Sequence, residues 1–168
     1  MATELYDLTI PVFLRGLRAL KGLLEKGEAF AAEQGIDPAD LTAARLIEDM
    51  HPLTAQIQRA SDASRLAAIR LGELAPLPMP DEETTFAELK DRVQRTIDFL
   101  ETVKPEQLNG REDATVVLEF PGNRLEFRAL DYALGFALPN FWFHVTTAYG
   151  LLRMKGVPIG KRDFLAGG

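Results

Sequence analysis

Between Asp131 and Arg153 the chain carries no formally charged side chain. No other feature limits its possible folds as strongly. An apolar run of that length is enough to span a bilayer. This one, however, contains Pro139, Asn140, His144, Thr146, Thr147 and Tyr149, groups that are costly or awkward in lipid. A helix that is apolar on nearly all sides and carries such interruptions suits the centre of a soluble helical bundle. No membrane association is therefore expected, and the helix needs partners to cover it.

Three further amphipathic helices supply them. Phe13, Leu17, Leu20 and Leu24 recur at helical spacing, with Arg15, Arg18, Lys21 and Glu25 off that line. Pro11 makes this helix begin near Thr9 or kink there, and Gly35 ends it. Asp37-Pro38 reads as an N-cap followed by proline at the first helical position, opening a short helix to about Leu46. Leu53, Ile57, Ala60, Ser64, Ala67 and Leu71 line the second long helix, whose small residues permit close packing, and Pro76, Pro78 and Pro80 stop it. Thr85 and Glu88 have the spacing of a capping box ahead of Phe86, Leu89, Val93, Ile97 and Leu100, a third long helix that ends before Pro105.

The period then changes to two. Val116, Leu118 and Phe120 alternate with Thr115, Val117 and Glu119; Leu125 and Phe127 alternate with Arg124, Glu126 and Arg128 beyond Pro121-Gly122-Asn123. That pattern predicts a small hairpin. The uncharged run, extended to Leu130–Lys155 and closed by Gly156 and Pro158, is the fourth long helix. The expected fold is all-α: four long helices, one short helix and a hairpin before the last helix, forming one domain over residues 1–168.

Composition excludes several functions. A net charge of -6 repels phosphate, so no nucleic-acid partner is expected. The absence of Cys removes disulfides, thiolate metal sites and cysteine nucleophiles. His51 and His144 are the only histidines, too few for a three-histidine metal site. Glu4 and Asp7 stand where a secretory signal would carry basic residues, which fits a cytoplasmic location. No Gly-x-Ser-x-Gly or glycine-rich phosphate loop is present. Asp81-Glu82-Glu83 and Lys161-Arg162 read as solvated surface.

On the fourth helix, Asn140, His144 and Thr147 share a stripe with Ala133, Phe136, Ala137 and Leu151. The apolar companions turn this stripe toward the bundle core. It reads either as a buried hydrogen-bond network that fixes register or as the wall of a pocket for a small polar ligand. Gln56, at the edge of the second helix's apolar face, is placed to reach His144. Pro139 cannot bond the carbonyl of Gly135, which leaves that acceptor free. His51, just before Pro52, is expected at the surface. The favoured site is a ligand pocket built from Gln56, Asn140, His144 and Thr147, with no cofactor and no assigned catalytic residue.

The segments Leu5–Leu20, Asp49-Met50 ahead of Pro52-Leu53, Asp81–Leu89 and Phe136–Leu165 together resemble a bacterial and fungal domain of unknown function. That family is placed in the DinB/YfiT-like four-helix-bundle superfamily, and the block Leu-Pro-Asn-Phe-x-Phe-His-Val-Thr-Thr-Ala-Tyr, here Leu138 to Tyr149, is specific. The resemblance implies an up-up-down-down bundle, commonly dimeric. The wider superfamily includes metal-dependent hydrolases and thiol-dependent transferases, whose metal is held by one His of helix two and a His-x-x-x-His pair of helix four. Here His144 fits helix four, but its four-residue neighbours are Asn140 and Ala148. The alternative function is accordingly a divergent metal-dependent transferase or hydrolase, with His51, His144 and Asn140 around Zn, Ni or Fe. Two histidines and an amide make a poor ligand set for such an ion.

Leu138, Trp142, Thr146 and Tyr149 fall opposite the Asn140–His144 stripe. With the Asn140–His144 stripe turned to the core they face outward, and the favoured expectation is a homodimer through this aromatic surface. The competing expectation is that the C-terminal segment with Ile159 and Phe164 folds back over them.

Overall fold

The structure is a computed structural model that describes residues 4–166. Its first helix, α1 (Leu5–Gln34), is continuous through Pro11 and ends at Gly35, whose φ of 63° is left-handed. A short α2 (Pro38–Thr42) follows, capped by the Asp37 carboxylate accepting from Ala39 N–H. Then come α3 (Leu53–Gly72), α4 (Phe86–Thr102) and one turn of helix, α5 (Pro105–Leu108). Thr85 and Glu88 form the expected capping box at the start of α4.

Strands β1 (Thr115–Phe120) and β2 (Asn123–Arg128) pair antiparallel, with Phe120 opposite Asn123 across Pro121-Gly122. Val116 and Leu118 are buried, whereas β2 is mostly exposed. The last long helix runs without a break through α6 (Ala129–Tyr132), a π-helical turn (Ala133–Ala137) and α7 (Leu138–Met154), and a short α8 (Lys161–Leu165) closes the chain. The helical class, the four long helices and the hairpin agree with the sequence reading. No helix among the described residues is long and apolar enough to cross a membrane.

The contacts fix the helix directions. Arg18 meets Glu101 and Lys21 meets Gln94, so α1 and α4 are antiparallel. Gln56 meets His144 and Arg70 meets Tyr132, which makes α3 antiparallel to α7. Phe13 packs on Phe141 while Gly27 lies against Leu152, so α1 and α7 run parallel. Arg111, beyond the end of α4, donates to the carbonyl of Leu71 at the end of α3. The order is up-down-down-up, which corrects the up-up-down-down order implied by the resemblance. The links explain it. Residues 35–52 turn back at one end of the bundle, whereas residues 73–85 join two parallel helices and must travel its full length.

That crossover is held by two buried arginines. Arg92 of α4 is fully buried. Its guanidinium donates to the carbonyls of Pro80 at 3.0 Å and Met79 at 3.4 Å. It also pairs with Asp62 of α3 at 2.9 Å and with Asp81 and Glu83 of the crossover at 3.0 Å each. Arg65 of α3 reaches the Leu77 carbonyl and Asp62. The crossover is rich in proline and so has few N–H groups to pair; what it offers are carbonyls and carboxylates, which an arginine fork can take up several at a time. Of the acidic run expected to be solvated surface, Asp81 and Glu82 are exposed as expected, although Asp81 also pairs with Arg92, whereas Glu83 is mostly withdrawn from water into the ion network. Burial pulls the Glu83 carboxyl upward, but hydrogen bonds from its own backbone, Gln58 and Arg92 outweigh this and hold it below the ordinary value. The Nε–H groups of Arg65 and Arg92 find no acceptor among the described residues.

The C-terminal segment folds back, as the competing expectation had it. Ile159 is buried. Phe164 of α8 lies 5.6 Å from the Trp142 ring and 5.9 Å from Tyr149. The Arg15 guanidinium stands 5.8 Å from the Trp142 ring. Lys26 ties α8 to α1 through Asp163. Of the four residues expected to face outward, only Thr146 is exposed; Leu138, Trp142 and Tyr149 are half-buried. Phe164 thus covers part of the aromatic surface formed by Trp142 and Tyr149.

Arg92→Ala should destabilise the protein by about 3–5 kcal/mol in urea unfolding, because it takes the shared donor away from Asp62, Glu83 and the Met79 and Pro80 carbonyls and empties a fully buried position. Arg92→Lys should recover little, since a point charge cannot replace the fork. In α1, a Cβ at Gly16 would overlap the edge of the Phe141 ring, whereas Gly22 has open space around it. Gly16→Ala should therefore cost about 1–3 kcal/mol, and Gly22→Ala should gain roughly 0.5–1 kcal/mol.

Candidate functional site

The surface is indented where α3, α7 and the hairpin meet. This cleft, of about 330 Å³, is lined by Arg59, Asp62 and Arg70 of α3, by Leu118 and Phe120 of β1, and by Tyr132, Phe136, Asn140 and His144 of the last helix, with Ala63 and Leu66 beneath them. The α3 residues recur at helical spacing and form one face. A larger groove of about 400 Å³ runs past Pro80, Glu82, Glu83, Ala87, Glu88, Asp91 and Arg95. There Glu83 is engaged by Arg92, and Glu88 is engaged by the backbone N–H groups of Thr84 and Thr85. Those hydrogen bonds hold the Glu88 carboxyl down to about 2.

His144 is the chemical centre of the smaller cleft. Gln56, buried in α3, donates from Nε2 to the carbonyl of His51 at 3.1 Å. A backbone carbonyl can only accept, so the amide's orientation is fixed and its Oε1 faces the imidazole. His144 Nδ1 lies 2.7 Å from that oxygen and must carry the proton. The other ring nitrogen, Nε2, has no hydrogen-bond partner among the described residues. Burial, then the charges of Arg59 and His51, push the imidazole down to about 4, so it is neutral at physiological pH. Phe143 meets the ring edge-on at 5.2 Å and limits its rotation. The free nitrogen of this cleft-lining residue is therefore a lone-pair acceptor and not an N–H donor.

The structure separates the residues expected to act together. Gln56 and His144 are joined as expected, and Asn140 lines the cleft beside them. Thr147 does not: its hydroxyl donates to the Phe143 carbonyl of its own helix at 2.7 Å. His51 is exposed, and its Nε2 accepts from Arg59 at 3.0 Å. The stripe Asn140–His144–Thr147 flanks the core and faces α3, while Phe141, Val145, Ala148 and Leu152 carry the core contacts. A divalent ion does not fit this donor set. His51 is turned onto Arg59, whose own positive charge occupies the neighbourhood, and among the described residues no three His, Cys, Asp or Glu side chains come together.

Tyr132 and Arg70 join the site without having been anticipated. Tyr132 is buried and its oxygen accepts from Arg70 Nη1 at 3.1 Å. In a regular α-helix, residues twelve apart are rotated by about 120°, which would turn Tyr132 away from His144. The π-helical turn between them absorbs one extra residue and brings the offset to roughly 20°. Pro139, which has no N–H for Gly135, was the available sequence signal.

The model for the domain of unknown function DUF1993 matches residues 5–165. The chain belongs to this family. The fold is similar to that in the crystal structure of a DinB family member from Shewanella denitrificans, with a TM-score of 0.85 and 37% identity over 96% of this chain and 91% of that one. The fold of this DUF1993 protein is therefore DinB-like. No curated protein matches its sequence.

Gln56→Ala should cost about 1–3 kcal/mol by leaving the Nδ1–H and a carbonyl unpaired. It should also convert His144 from a single Nδ1–H tautomer to a mixture, visible in imidazole nitrogen chemical shifts. Because the folded imidazole titrates near 4 and an unfolded one near 6.5, the unfolded state takes up the proton first on acidification. His144's contribution to stability should be complete above about pH 6.5 and decline as pH falls toward 4. His144→Phe should flatten that slope in a series of denaturation curves.

Proposed function

We propose that this protein binds a small organic ligand in the cleft between α3, α7 and the hairpin, without a metal, and that His144 Nε2 accepts a hydrogen bond from it. The observation that carries this reading is the Gln56 amide, whose fixed orientation leaves Nε2 of His144, a residue that lines the cleft, as an acceptor without a partner among the described residues. A register-fixing network would consume both ring nitrogens; here one is left unspent. The cleft mixes apolar walls with a few convergent polar groups, the usual character of a small-molecule site.

Phenol, a flat molecule with one hydroxyl donor, is a direct probe. In carbon-detected spectra of the imidazole groups, phenol should shift the His144 ring resonances and leave those of His51 nearly unmoved, and His144→Ala should abolish saturable binding. Phenol binding that ignores His144 would sink the reading. So would stoichiometric Zn, Ni or Fe in protein purified without a histidine tag.

A further inference from the structure

The two ends of the cleft differ in chemistry. At one end stands Arg70, half-buried and without a carboxylate partner among the described residues; it is bonded only to the Tyr132 oxygen. Because that oxygen accepts from Arg70, the phenolic O–H remains available to donate. Tyr132 is 1% exposed, and a buried hydroxyl usually finds an acceptor. None is present among the described residues, so this end offers a guanidinium and an O–H with nothing to receive them.

At the other end, His144 offers the reverse: a lone pair, beside the Asn140 amide. Between the ends lie Leu66, Leu118, Phe120 and Phe136, an apolar floor and wall. The one carboxylate in the lining, Asp62, is already bound through Oδ1 by both Arg65 and Arg92, so it does not neutralise Arg70. Arg59 also lacks a carboxylate partner, but it is turned onto His51.

Resting on the ligand-cleft reading above, we infer that the ligand is an elongated amphipathic organic acid. Its carboxylate meets Arg70 and the Tyr132 hydroxyl, its apolar body lies against Leu118, Phe120 and Phe136, and a hydroxyl or similar protic group at the far end donates to His144 Nε2. Arg70 and Tyr132 come from different helices, and together they present two donors to one carboxylate. The polarity of the cleft sets the ligand's direction.

The experiment uses 4-hydroxyphenyl acetate, propionate and butyrate with their primary amides, measured by calorimetry and by imidazole chemical shifts. One chain length should bind at least tenfold tighter as the acid than as the amide. Arg70→Gln and Tyr132→Phe should each remove most of that preference while leaving amide binding unchanged; Tyr132→Phe keeps the buried ring and guards against misfolding. Removing the 4-hydroxyl should weaken the acid and abolish the His144 shift. If acid and amide bind equally, or if Arg59→Gln removes the preference and Arg70→Gln does not, the inference fails. Phenol shifting His144 in that case leaves the cleft reading standing. If neither phenol nor any of these compounds moves His144, both fail.

Discussion

One fully buried guanidinium organises this bundle. Arg92 joins α4, Asp62 of α3 and the crossover carried by Pro80, Asp81 and Glu83, and so holds two parallel helices together with the extended segment that links them. A buried charge is tolerated only where its hydrogen bonds are nearly all made, and a crossover short of N–H donors is suited to provide the acceptors. The same network takes up Asp62, which would otherwise place a free carboxylate in the cleft. The core arginine and the character of the cleft are therefore one arrangement viewed from two sides.

The cleft depends as much on an irregularity of the backbone. Pro139 removes one link of the helical ladder, and the helix accommodates it with a wide turn over Ala133–Ala137. That turn changes the angular phase of everything before it relative to everything after. Tyr132 then looks into the same space as Asn140 and His144, and Arg70 follows through its bond to the tyrosine oxygen. Wide turns of this kind occur often where side chains must be aimed at a site.

The electrostatics of the site follow from the same residues. His144 is neutral because it is half withdrawn from water and stands near Arg59 and His51, not because it is paired with an acid. On a chain of net charge -6, the lining holds two guanidiniums and a single carboxylate that is already satisfied. This is a poor place for a divalent cation, since neither guanidinium has a carboxylate partner to offset its charge among the described residues.

Sequence by itself determined the helical class, the four apolar faces, the capping box at Thr85 and Glu88, the Pro-Gly hairpin and the family to which the chain belongs. All of these depend on spacing within a few residues or on a block of residues read together. The Gln56–His144 pair was legible for the same reason: each residue sits at a definable angle on its own helix. Tertiary structure alone decided the rest. A periodicity assumes a uniform rotation per residue, so it could not carry Tyr132 past the turn at Ala133–Ala137. Charge patterning treats an acidic run as solvated, so it could not foresee that Asp81 and Glu83 face Arg92. Whether Trp142 lies open or beneath Phe164 depends on where a distant segment returns, and helix direction depends on which end a link must reach. These are properties of the packed chain, because each requires two parts far apart in sequence to find one another in space.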